Sequence, residues 1–189
     1  MKSNILPAIK LTFVCLVFFM GIYTLAVYGI AQLTPNKGKG DIIVYNGKTY
    51  YSNIGQPFTN DSYFNSRPSA VGYNAAGSGG SNKAPGNPDY LKEVQARIDT
   101  FLVHNPGITK SEIPSDLVTA SGSGLDPNIS VQAARVQVKR IAQIRHLAEE
   151  RLMMLIDAQT ENPLFGLFGT EKINVLKLNI ALDQLAPAK

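Results

Sequence analysis

Between Leu11 and Leu33 the chain reads LTFVCLVFFMGIYTLAVYGIAQL, without one Asp, Glu, Lys, Arg or His. A helix of about 20 apolar residues matches a hydrocarbon core of roughly 30 Å. Inside such a core the backbone can bond only to itself, so this stretch is expected to be a single spanning helix. Tyr23 and Tyr28 supply amphipathic rings, and Tyr28 and Gln32 lie close to its far end. Lys10 closes one end; Thr34, Pro35 and Asn36 close the other. The competing reading is a cleaved signal peptide, for which Gly29-Ile30-Ala31 offers a small-x-small cleavage site. The apolar run exceeds the roughly 7–15 residues of a signal core, and few charges precede it, so a retained anchor is the reading adopted. The expected organisation is an N-terminal tail (1–10), a transmembrane helix (11–33), a tether (34–40) and a soluble domain (41–189).

Charge says little about which side that domain occupies. Lys2 and Lys10 precede the span, Lys37 and Lys39 follow it, and the positive-inside rule gives a near tie. An external domain is adopted because a short tail, one span and a long domain insert that way most simply. The formal net charge is +4, and no run of Lys and Arg is long enough for a nucleic-acid tract. Cys15, the sole cysteine, lies in the span, so the soluble part has neither disulfide nor thiol chemistry.

The soluble part reads as α+β, with a small β-hairpin or sheet and three to four helices. Ile42–Tyr45 and Lys48–Tyr51 flank Asn46-Gly47, the strongest short hairpin signal, because a type I′ turn needs positive φ at both central residues. Residues 55–88 are rich in Gly, Ser, Asn and Pro but carry Phe58, Tyr63, Phe64 and Tyr73, which predicts an ordered coil whose rings plug into a core. Asn87-Pro88 opens a helix with Leu91, Val94, Ile98, Phe101 and Leu102 on one face, Glu93 and Arg97 paired on another, and Asn105-Pro106-Gly107 at its end. Ser130 caps a second helical stretch to about Gln159. Its buried side is Val131, Ala134, Val138, Ile141 and Ala142; Arg135, Lys139, Arg140 and Arg145 make the rest basic, and a break is expected near His146. Leu164, Phe165, Leu167 and Phe168 sit in a Pro/Gly loop as either core or a greasy patch facing a partner or lipid. A last helix places Val175, Leu178, Leu182 and Leu185 in register.

Few motifs point to chemistry. Gly77–Lys83 looks at first like a phosphate loop, but the second glycine position holds Asn82, Ala84 replaces the hydroxyl, and no strand leads in; a structural turn is expected. Ser121–Asp126 is a second small-residue loop at a helix entrance, where the Asp126 carboxylate would repel an anion. His104 and His146 lie towards helix C-termini, where a partly charged imidazole suits the dipole. Neither paired carboxylates nor a metal-ligand spacing stands out, so no catalytic, cofactor or metal residues are assigned.

Several stretches together carry a resemblance: Gly55–Phe58, Tyr63–Ala70, Ser78–Asn82, Asn87-Pro88, Asp116–Pro127 and Val175–Asp183. With the single span, the chain resembles the C subunit (KdpC family) of the bacterial Kdp potassium-transporting P-type ATPase over nearly its whole length. The poorest fit is residues 34–48, and nothing is carried over there. The resemblance implies an inner-membrane complex with a channel-like potassium-binding subunit, a P-type ATPase subunit and a small F subunit. It implies an accessory role, since this chain has no Asp-Lys-Thr-Gly phosphorylation motif. Two conflicting roles are attached to the family: a catalytic chaperone raising the ATPase subunit's affinity for ATP, and an external cap over the potassium entrance. Arg67 and Asp126 are charged members of the matched motifs, expected as either interface contacts or an internal ion pair. From the residues alone, an anchored or secreted binding module unrelated to transport stays open.

Overall fold

A computed structural model describes residues 4–185. The chain divides into two compact units, one ending at Tyr51 and one beginning at Ser52. The first unit holds helix α1 (Ile5–Gln32), 28 residues long and apolar enough to cross a membrane. At 1.5 Å per residue it is about 42 Å long, so it begins before the charge-free stretch and carries Lys10 within its first turns. Its middle, Val17–Tyr23, is wound as a π-helix. There the Thr24 hydroxyl donates to the Phe19 carbonyl at 2.9 Å. The same unit contains strands β1 (Ile42–Tyr45) and β2 (Lys48–Tyr51), antiparallel, with Tyr45 opposite Lys48. Asn46 and Gly47 take φ of +50° and +74°, the mirror-image turn that Asn tolerates and Gly, lacking a Cβ, adopts freely.

The second unit is built on helices and one small sheet. Helix α2 (Pro88–His104) starts where expected: the Asn87 side chain accepts from the amides of Asp89 and Tyr90, and Pro88 fills the first turn. None of its residues is fully buried, and Leu91 is 53% exposed, so the predicted apolar face is only half covered. The stretch after Ser130 breaks twice, not once. It forms α3 (Val131–Arg135), α4 (Val138–Arg145) and α5 (Glu149–Gln159). Ser130 caps α3 by accepting from the Ala133 amide, and His146 ends α4 in the left-handed region at φ +54°. Helix α6 (Val175–Leu185) closes the unit.

A three-stranded antiparallel sheet that the sequence did not reveal joins these helices. Strands β3 (Asn128–Ile129), β4 (Thr160–Glu161) and β5 (Lys172–Asn174) run in the order β3-β5-β4, with Ile173 opposite both Ile129 and Thr160. Two- and three-residue strands carry no alternation long enough to read. The core lies where α3, α4, α5 and α6 meet this sheet, around Ile129, Ala133, Ile141, Leu152, Ile156, Ile173, Leu178 and Leu182.

Candidate functional site

The coil that precedes α2 packs directly on that core, and its tether points are polar. Phe64 is 0% exposed and inserts among the helices. Burying an aromatic ring in a coil also buries its backbone, whose N–H and C=O then need partners. Asn179 on α6 supplies both: its carbonyl oxygen accepts from the Phe64 amide at 2.9 Å, and its amide donates to the Phe64 carbonyl at 2.9 Å. One side chain thus acts as an adjacent strand would. Gln137, also 0% exposed, accepts from the Asn65 amide at 2.8 Å and donates to the Ala133 carbonyl at 2.9 Å.

Two arginines on α4 complete the clamp. Arg140 donates to the Asn65 side chain at 2.7 Å, and to the Tyr63 carbonyl and Gln137 at 2.8 Å each, with Asp61 at 3.7 Å. Burial pulls its guanidinium down to about 10, against the pull of Asp61, which leaves it cationic at neutral pH. Arg145 donates to the Ser62 carbonyl at 2.7 Å, pairs with Asp183 at 2.8 Å and lies 4.5 Å over the Tyr63 ring. The Tyr63 hydroxyl donates to the same Asp183 at 3.0 Å. Its pKa is raised, first by burial and then by that bond to a carboxylate. Arg140 and Arg145 were expected on an outward basic face; Arg140 is instead 4% exposed, because the coil's carbonyls need donors there.

Arg67 and Asp126 are brought together. The Arg67 guanidinium is 2.9 Å from Asp126, with side chains 24% and 29% exposed. Asp126 also accepts from the Asn128 amide at 3.0 Å, and the Tyr73 hydroxyl donates to the Arg67 carbonyl. Around this pair the two small-residue loops lie backbone against backbone. The Gly79 amide and the Ser78 hydroxyl both donate to the Ser123 carbonyl, at 2.8 and 3.0 Å. A Cβ on Gly124, whose φ is +67°, would stand 2.7 Å from Val71 and 2.8 Å from the Gly79 carbonyl; one on Gly55 would stand 2.8 Å from the Asp126 carbonyl. The glycines therefore permit close approach of separate stretches of backbone. Lys83, the lysine of the apparent phosphate loop, is bonded to Glu93 on α2 and holds that carboxyl below its usual range.

Between the coil and α2 lies a groove of about 540 Å³, floored by Phe58, Pro68, Tyr73, Phe101 and Leu117. His104 and Asp61 meet at its wall, 2.8 Å apart. Three hydroxyls lining it bond to backbone carbonyls: Ser66 donates to Gln56, Ser69 to Gly124 and Thr100 to Ala96. Among the described residues no group of three or more His, Cys, Asp and Glu could hold a metal ion. The arrangement fixes the coil on the helices through bonds to its backbone.

Sequence reasoning missed Gln137, Arg140, Asn179 and Asp183. A signal was present for Asn179, which falls on the apolar stripe of α6 beside Leu178, where a polar residue must find a partner. Arg140 read with Arg135, Lys139 and Arg145 as part of a basic face, and nothing local marked Gln137 as buried.

This geometry can be set beside known proteins. Residues 5–184 match the family model described as the K+-transporting ATPase, c chain. The chain is 58% identical over 184 residues to the potassium-transporting ATPase KdpC subunit of Flavobacterium psychrophilum, covering 97% of this chain and 99% of that one. It is 52% identical over 186 residues to the subunit of the same name in Bacteroides thetaiotaomicron, covering 96% and 98%. It is 47% identical over 184 residues to that of Caldanaerobacter subterraneus subsp. tengcongensis, covering 96% and 95%. A likeness of this extent, spanning the apolar helix, the clamped coil and α6 alike, places the chain in the KdpC family, the c chain of the K+-transporting ATPase.

Proposed function

We propose that the chain is a non-catalytic accessory subunit of an ATP-driven potassium importer. It is held in the inner membrane by one helix and assembles with a channel-like potassium-binding subunit, a P-type ATPase subunit and a small F subunit. Its soluble part, residues 41–189, lies outside and covers the potassium entrance. The observation that carries this reading is the near full-length likeness to KdpC subunits in a chain whose N-terminal helix has the length and apolarity of a span. The absence of an Asp-Lys-Thr-Gly motif supports the accessory role, since phosphoryl transfer through an aspartate would then fall to a partner. Arg67 and Asp126 act here as an internal pair that fixes the coil, and the outer face of that coil meets the partners. ATP reaches the complex through the ATPase subunit.

Three measurements test this. In mild detergent, a tagged copy of the full chain should retain a P-type ATPase and a channel-like subunit from its own membranes; their absence would overturn the assembly. With Cys15→Ser as background, Val103→Cys on the exposed end of α2 should react with a membrane-impermeant thiol reagent in intact spheroplasts. Labelling only after lysis would put the domain inside. The full chain alone should bind ATP without saturation, and a micromolar Kd would return the chaperone role to this subunit.

A further inference from the structure

One short loop of the second unit is built unlike the rest of it. Between β4 and β5, Leu164, Phe165, Leu167 and Phe168 are 63%, 83%, 80% and 66% exposed, so of the two sequence readings the core one is corrected: these side chains stand outside. The loop is nonetheless ordered as a miniature hairpin. Leu164 and Phe168 exchange both backbone bonds at 3.0 Å, and the Leu167 amide donates to the Leu164 carbonyl at 3.2 Å. Phe165 and Gly166 form its tip with φ of +55° and +71°. A bulky ring in the left-handed region is uncommon; Asn, as at position 46, fits such a tip with less strain.

We propose that this apolar knuckle inserts into the interfacial layer of a lipid bilayer. Three features favour lipid over a protein recess. From Asn162 to Thr170 no residue is charged, so the tip carries no ion into an apolar medium. The amides of Leu164, Gly166, Leu167 and Phe168 are all bonded within the turn, which lowers the penalty of leaving water. The flank is balanced, two acids against two bases: Glu161 lies 3.3 Å from Lys177 and 3.8 Å from Lys172, and the exposed Glu171 adjoins Lys172, so no net charge there selects or repels anionic headgroups. The chain carries its own span-length helix, which keeps the second unit covalently within reach of a bilayer. The proposal does not depend on which side of the membrane the domain occupies, nor on the pump reading.

The chain has no tryptophan, which makes the test direct. Full-length Phe165→Trp, reconstituted alone in phosphatidylcholine vesicles, should emit to the blue of Val103→Trp and be quenched several-fold by lipids brominated near the headgroup end of their chains. Val103, equally exposed on α2, reports the aqueous surface. Adding Leu167→Ser and Phe168→Ser to Phe165→Trp should abolish the quenching while the thermal unfolding midpoint stays in place. Water-like, unquenched emission from Phe165→Trp would overturn the proposal. So would quenching that requires anionic lipid, or a blue shift without quenching that appears only when the pump's other subunits are present, which would identify a protein recess instead.

Discussion

The coil before α2 and the loop between β4 and β5 are made of similar material, aromatic residues among Gly, Pro and Asn, yet they fold in opposite directions. The coil drives Phe64 to 0% exposure; the loop leaves Phe165 at 83%. Ring size and apolarity do not separate them, and backbone accounting does. Phe64 can enter the core because Asn179 bonds both of its peptide groups, with Gln137 and Arg140 serving the next residue and Tyr63. The loop closes its own backbone across Leu164 and Phe168 and needs no such partners, but it then has nothing to pull it inward. An irregular segment becomes core only where neighbouring side chains replace the missing ladder.

The comparison can be broken from either side. The largest effect expected is from Phe64→Ala, which should cost about 3–5 kcal/mol in urea or thermal unfolding, the usual range for emptying a buried aromatic site. Asn179→Ala touches no aromatic ring but orphans one donor and one acceptor. At about 1–2 kcal/mol each, the lower part of the usual range, a loss of roughly 2–4 kcal/mol is expected by circular dichroism melts. A loss below about 1 kcal/mol would mean that the clamp is dispensable and that Phe64 alone holds the coil.

In the loop the sign should reverse. Phe165→Asn should stabilise the fold by up to about 1 kcal/mol, since it relieves a left-handed aromatic residue and removes no buried contact. Destabilisation by the same assay would show that the exposed ring supports the domain.

The smallest effect is in pH. The Tyr63 hydroxyl is held above its ordinary value of 10.0 by burial and by Asp183. A group whose folded pKa is raised binds its proton more tightly in the fold. Its contribution is complete below about pH 10 and is lost as pH climbs through the higher folded value. Tyr63→Phe should therefore flatten the alkaline limb of stability against pH, and the native tyrosinate absorbance should show a late-titrating step that the variant lacks.

What the chain settled by itself is whatever depends on neighbours in sequence. The body of the long apolar helix follows from a charge-free run, the β1–β2 turn from Asn46-Gly47, the start of α2 from Asn87-Pro88, and the break of α4 from the loss of a continuous apolar stripe near His146. The last helix likewise fell in register, with Val175, Leu178 and Leu182 buried. What required the tertiary structure is everything decided by partners far away in the chain. Arg140 and Arg145 read as solvent-facing because nothing local says that carbonyls of residues 62 and 63 will arrive against them. The three-stranded sheet was invisible because each strand is too short to carry a period. Arg67 and Asp126 could be singled out from the sequence, but their pairing depends on two glycine-lined loops approaching backbone to backbone. Local propensity is written residue by residue; desolvation and its compensation are properties of pairs, and a pair exists only once the chain has folded.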